Sequence, residues 1–181
     1  MVAALPRLFV ALRPPVAVRD VLIDTMDSVA AARWQDDAQL HLTLRYIGET
    51  DPRVADDLVD ALGRIDAPRF ELAVHGVGFF ERKGQPTALW AGIAPNAALD
   101  TLQKKVERVC QSVGLEAEHR KFTPHITLAR LNSAAGPVAP WLAQHSRLAA
   151  PAWPVDSVRL YESTLTPGGS QYDPVVEWRL R

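Results

Sequence analysis

LHLTLRYIG (Leu40 to Gly48) sets Leu40, Leu42 and Leu44 in alternation with His41, Thr43 and Arg45, and FTPHITLARL (Phe122 to Leu131) sets Ile126 and Leu128 against His125 and Thr127. Period two is the pattern of a strand with one buried face. Residues two apart on a strand share a side, so a histidine and a threonine from each stretch project together, opposite the apolar residues. Alternation adds Arg45 to the first pair. It puts Arg130 off the His125 side unless a bulge intervenes.

The neighbourhoods of these strands match as well. RLFVALRPP (Arg7 to Pro15) is a short apolar strand ended by prolines, followed by a helical pattern in Val18, Val21, Leu22, Thr25, Met26 and Val29. ALWAGIAP (Ala88 to Pro95) is again a strand ended by proline, followed by Leu99, Leu102, Val106, Val109 and Val113 at helical spacing, with Gly114 as the cap. Phe9 aligns with Trp90, Pro14 with Pro95 and His41 with His125. After the first histidine strand, Pro52 to Ile65 reads as a helix and Phe70 to Phe80 as a strand. After the second, Val138 to His145 reads as a helix and Val155 to Tyr161 as a strand, and Tyr172 to Leu180 closes the chain as a last strand.

The expected architecture is therefore α+β: a bilobal duplicated fold over residues 1–181, a single domain of two pseudo-symmetric halves. Each half is expected to form an antiparallel-rich sheet with helices, leaving an active-site groove between them. Equivalent residues then face each other across the groove.

At 181 residues, 48% hydrophobic and 23% charged, the chain has an ordinary globular composition. A net charge of −1 argues against a protein that coats long nucleic acid such as DNA, which needs many phosphate-neutralising cations, while a terminal phosphate remains within reach. Arginine far outnumbers lysine among the 20 basic residues, so a single arginine is a weak signal. Cys110 is alone, which forbids an internal disulfide and fits a reducing compartment, and it continues a helical pattern as core filler. The apolar run LFVAL is too short for a signal-peptide core or a membrane span, so a cytoplasmic protein is expected. Nothing in the sequence suggests an oligomer, and a monomer is expected.

Two opposed imidazoles suit in-line displacement at phosphorus, one taking a proton from the attacking oxygen and the other giving one to the leaving oxygen. A pKa near 6.5 allows one to be neutral and the other protonated near neutrality. The Thr43 and Thr127 hydroxyls are placed to serve the equatorial phosphate oxygens. Zinc is the main chemical competitor, but it takes three or four protein ligands and only two are expected here. No G-x-S-x-G elbow or G-x-x-x-x-G-K-[ST] loop occurs.

The paired motifs HLTL (His41 to Leu44) and HITL (His125 to Leu128) resemble those of the two-histidine (2H) phosphoesterase superfamily. With RLFVAL, HLTLRYIGE, GFFERKGQPTALWAG, FTPHITLAR and YESTLTPGGSQYDPVVEW, nearly the whole chain resembles the bacterial RNA 2′,3′-cyclic phosphodiesterases, also called LigT-like or 2′-5′ RNA ligases. The resemblance implies hydrolysis of RNA ends or small nucleotides bearing a 2′,3′-cyclic phosphate to 2′-phosphomonoesters, without a metal or other cofactor. It implies His41 as proton donor and His125 as proton acceptor, an assignment the residues alone do not make. Some relatives join 2′-5′ RNA ends in the same site, so ligation or RNA-end binding is the alternative.

Arg45 and Arg130 are the candidate phosphate-binding cations, set against surface arginines in an arginine-rich chain. Arg120 and Lys121 are a candidate basic rim for RNA. Phe9, Trp90 and Tyr172 are candidate base contacts, with core packing the competing role for Phe9 and Trp90. His75, His119 and His145 lack the H-x-T context and read as structural or surface residues. The residue matching Arg45 in the second copy is Ala129, so the groove is expected to be chemically asymmetric.

Overall fold

The two histidine stretches become neighbouring strands, β3 (Leu42–Glu49) and β7 (His125–Arg130), which meet through one antiparallel pair, Leu42 with Ile126. The other strands are β1 (Arg7–Leu12), β2 (Arg33–Trp34), β4 (Phe70–Leu72), β5 (Val74–Arg82), β6 (Gln85–Ile93), β8 (Trp153–Val155), β9 (Ser157–Thr166) and β10 (Gly169–Arg179). In the computed structural model, which describes residues 5–181, eight of these form one antiparallel sheet in the order β10-β9-β1-β3-β7-β6-β5, with β2 added on β7. β4 and β8 pair apart from it.

The α+β, antiparallel reading stands, but the halves do not each build their own sheet. β5 closes the first copy of the repeat and pairs with β6 of the second, while β9 closes the second copy and pairs with β1 of the first. The cause is local. Lys83 and Gly84 both adopt positive φ (52° and 76°), as a tight two-residue hairpin turn requires, so β5 must fold directly onto β6. The last strand of each copy is exchanged, and the groove lies over the seam between β3 and β7.

Four helices, α1 (Val16–Ile23), α2 (Pro52–Leu62), α3 (Ala97–Ser112) and α4 (Ala139–Gln144), feed a single core. Their buried residues (Val18 and Leu22; Leu58 and Leu62; Leu99, Leu102, Val106 and Cys110; Trp141) join Leu8, Val10, Leu42, Leu44, Ile126 and Leu128 from the sheet. Each such aliphatic side chain contributes roughly 1.5–3 kcal/mol on burial. On the other sheet face a small cluster of Phe9, Ala11 and Tyr161 forms, with Tyr172 against it. Alternation along β1 therefore sends Leu8, Val10 and Leu12 to the core and Phe9 and Ala11 to the opposite face.

α1 stops at Ile23, short of the helical pattern that runs to Val29. The Thr25 hydroxyl donates to the Leu22 carbonyl (2.7 Å), and the Thr25 carbonyl accepts from the buried Trp141 indole N–H (2.8 Å). Side-chain bonding of this kind competes with helix continuation. Thr25 and Val29 stay buried without being helical.

Candidate active site

His41 sits just before β3 and His125 opens β7, and the two are held in the same way. His41 Nδ1–H donates to the Gln39 carbonyl (2.7 Å), and His125 Nδ1–H donates to the Thr123 carbonyl (2.6 Å), in each case two residues back along the chain. This bond fixes the tautomer and turns each Nε2 toward a common groove of about 760 Å³ that Thr43 and Thr127 also line. In His41 the Nε2 accepts from the Thr43 hydroxyl (3.0 Å).

Both imidazoles hold protons less readily than a free histidine. Burial is the first cause in each and pushes His41 down to about 4 against its carbonyl bond, with the positive charge of Arg130, then His125 and Arg13, adding to it. His125 is lowered by burial and by Arg130. Neither ring has a carboxylate among these causes, although Glu81 and Glu118 line the same groove.

The two arginines exchange the positions that alternation predicts, because each histidine strand carries a bulge after its threonine. Ala11 pairs with Thr43 but Val10 with Arg45, leaving Leu44 between them. Arg45 thus lies on the Val10 side of β3, with its guanidinium carried toward α3, while still lining the groove with His41 and Thr43. Its guanidinium is 3.2 Å from the Glu107 carboxylate of α3 and 3.6 Å from that of Glu118, and it donates to the Glu116 carbonyl. In β7 Trp90 pairs with Thr127 but Leu89 with Ala129, so the extra residue is Leu128 and Arg130 returns to the side of His125 and Thr127. Tyr46, at the place in β3 that matches Arg130, faces the groove and accepts from Arg7 (3.1 Å).

Aromatic rings back both histidines. Phe9 lies 4.8 Å from His41 and Tyr172 meets its edge at 5.1 Å, with Tyr161 stacked on Phe9 at 5.1 Å. Phe80 meets His125 edge-on at 4.8 Å, and Trp90 is 6.0 Å away. Phe9, Tyr172, Lys121 and Phe80 line the groove, together with Arg120. Phe9 is buried, 3% exposed, so its contact is with the imidazole rather than with an open surface. Trp90 meets His125 and Phe80 beside the groove, and among the described residues its indole N–H has no partner. His75 bridges to Ala149, His145 packs tilted against Trp141, and His119 is exposed; none of the three lines the groove.

Gln39, Phe80 and Glu118 escape the strand-pattern reading. Gln39 closes a capping box with Asp36, its side-chain amide donates to the Ser170 carbonyl (2.7 Å), and its own carbonyl holds His41. The signal for it is the D-x-x-Q spacing of Asp36 and Gln39 at a helical start. Among the described residues no three His, Cys, Asp or Glu side chains converge as metal ligands, and no helix is long and apolar enough to cross a membrane.

Residues 14–166 match the sequence profile of the 2′-5′ RNA ligase superfamily. The chain is 33% identical to the RNA 2′,3′-cyclic phosphodiesterase of Aeropyrum pernix over 78% of this chain and 82% of that protein. It is 32% identical to the enzyme of the same name from Thermus thermophilus over 97% and 90%. Among solved structures, a Thermus thermophilus protein superposes with a TM-score of 0.83 at 26% identity, covering 97% of this chain and 98% of that one. Escherichia coli LigT complexed with 3′-AMP superposes with a TM-score of 0.77 at 27% identity, covering 97% and 98%.

Proposed function

Because the chain belongs to the 2′-5′ RNA ligase superfamily, we propose that it is an RNA 2′,3′-cyclic phosphodiesterase that opens cyclic phosphate ends to 2′-phosphomonoesters. The observation that carries this reading is the matched pair of imidazoles, each with Nδ1–H on a backbone carbonyl and Nε2 turned into one groove.

In the reaction, His125 Nε2 takes a proton from water as the water oxygen bonds to phosphorus in line with O3′. The P–O3′ bond breaks, and His41 Nε2 gives its proton to the departing oxygen, leaving a 3′-hydroxyl and a 2′-phosphate. Thr43, Thr127 and Arg130 serve the equatorial oxygens. Lowered proton affinity suits the base directly. The acid needs a proton that burial and Arg130 disfavour, and the bound phosphate anion supplies the attraction that offsets them. Substrate binding and protonation of His41 are therefore coupled. Lys121 and Tyr172 meet the nucleoside at the rim, whereas Phe9 and Trp90 act through the imidazoles they pack against.

The substrates are RNA ends and small nucleotides with a cyclic phosphate. We assign the enzyme to the cytoplasm as a monomeric single domain, in keeping with its one buried thiol, Cys110. The test is turnover of a panel of 2′,3′-cyclic nucleotides with the product identified by phosphorus NMR. A 2′-phosphate is expected; a 3′-phosphate reverses the assigned geometry, and joined product from 5′-hydroxyl ends assigns ligation instead.

A further inference from the structure

A second cavity of about 630 Å³ adjoins the groove and shares Arg130, Leu165, Ser170 and Tyr172 with it. Its far wall is β2, and its roof is the turn between β9 and β10. Arg33 and Arg130 are direct cross-strand partners in the β2–β7 pair, and both line this cavity. Like charges placed opposite each other destabilise a sheet. Among the described residues neither arginine has a carboxylate within ion-pair distance, unlike Arg13, Arg19, Arg45, Arg120, Arg159 and Arg179.

The cavity is kept open by its roof. Gly169 has a φ of 122°, and a β-carbon there would stand 3.1 Å from Arg33 Nη2, so a side chain at this point would crowd the guanidinium. Gln39 ties the same turn down through Ser170, and Leu165, 68% exposed, offers an apolar surface at the junction of the two cavities. Two guanidiniums facing one polar cavity, with an apolar ledge beside it, match a phosphodiester and its base.

We propose that this second cavity is a subsite for the phosphodiester that joins the terminal nucleotide to the rest of an RNA strand. Arg33 holds that phosphate, and Arg130 stands between it and the cyclic phosphate at the histidines. This rests on the phosphodiesterase reading and adds that the enzyme prefers the end of a strand to a free cyclic mononucleotide.

The experiment compares kcat/KM for a diadenylate ending in a 2′,3′-cyclic phosphate with that for 2′,3′-cyclic AMP, in wild type, Arg33→Gln and Arg33→Lys. The expected ratio favours the diadenylate in wild type, falls about tenfold in Arg33→Gln, the scale of one charge-assisted contact, and is intermediate in Arg33→Lys. The salt dependence of diadenylate binding should lose about 0.7 in its logarithmic slope in Arg33→Gln. A ratio equal in wild type and Arg33→Gln overturns the subsite. Affinity for the product diadenylate 2′-phosphate, set against adenosine 2′-monophosphate, reads the subsite without turnover. Wild type that turns over neither cyclic substrate refutes the phosphodiesterase reading, while equal product affinities in wild type and Arg33→Gln refute the subsite alone. Melting curves identify a variant that fails to fold, and in that case Arg33→Lys decides.

Discussion

Gly78 lies directly against the indole of Trp90, so that a β-carbon on Gly78 would stand 2.2 Å from Cη2 of the ring. The two are cross-strand partners in β5 and β6, at the place where the other lobe pairs Phe9 with Tyr161. One lobe fills this layer with two stacked rings. The other fills it with a single indole lying over a glycine.

Gly78→Ala forces Trp90 to move, and Trp90 packs against His125 and Phe80. Overpacking of this kind costs about 1–3 kcal/mol. Displacement of the base lowers kcat by roughly tenfold to a hundredfold with little change in KM. Adding Trp90→Phe makes room for the methyl group, so the double variant should recover stability lost by the single one. Melting temperatures and steady-state kinetics of the cycle check this; a Gly78→Ala protein with wild-type kcat refutes the linkage.

His41→Ala and His125→Ala should each lower kcat on 2′,3′-cyclic AMP by about 10²–10⁴-fold, the usual contribution of a general acid or base. Turnover of the wild type in excess chelator should stay within about twofold of its untreated value, because the reaction as written uses no metal ion. Loss of turnover in chelator, restored by zinc, would replace acid–base catalysis with metal activation of water.

Arg45 and Arg130 should separate stability from activity. Arg45 is buried among Glu107, Glu118 and the Glu116 carbonyl, so Arg45→Ala leaves the partly buried Glu107 carboxylate without its cation, while Glu118 keeps Arg120. A cost of about 2–4 kcal/mol follows, at the lower end for buried pairs since Glu118 is partly solvated. The loop through Arg120 and Lys121 loosens with it, because Glu118 also binds Arg120. Arg130 is exposed and carries no such network, so Arg130→Ala should leave the melting temperature nearly unchanged and lower kcat/KM by roughly tenfold to a hundredfold. Equal effects of the two variants on kcat/KM and on melting would contradict the bulge-directed division of roles.

The histidine strands were legible because period-two alternation survives wherever one sheet face is buried, and the duplication was legible because both copies keep it. The bulges were not. Inserting Leu44 or Leu128 costs the pattern nothing, since the extra residue is itself apolar and faces the core, yet it turns Arg45 inward and Arg130 outward. Exchange of β5 and β9 was hidden for another reason: pairing partners are set by the Lys83–Gly84 turn and by contacts far apart in sequence. Gln39 acts through its carbonyl and its amide, neither of which leaves a periodic trace.

The charge on His41 makes the stability of the protein depend on pH. Its folded pKa of about 4 lies below the unfolded value near 6.5, so the unfolded chain binds more protons between those limits. The associated stability is complete above pH 6.5 and is lost as pH falls through the folded pKa. It amounts to about 3 kcal/mol by pH 4, at 1.36 kcal/mol per unit. His41→Gln should therefore lose less stability than wild type between pH 6.5 and 4, as read by urea unfolding. Imidazole NMR separates this from carboxylate titration: His41 should titrate near 4 in the free protein. It should move upward when adenosine 2′-monophosphate fills the groove, because the phosphate anion opposes burial and the charge of Arg130. A free-protein midpoint near 6.5, unmoved by the nucleotide, would mean that the acid carries its proton before substrate arrives and that binding and protonation are not coupled.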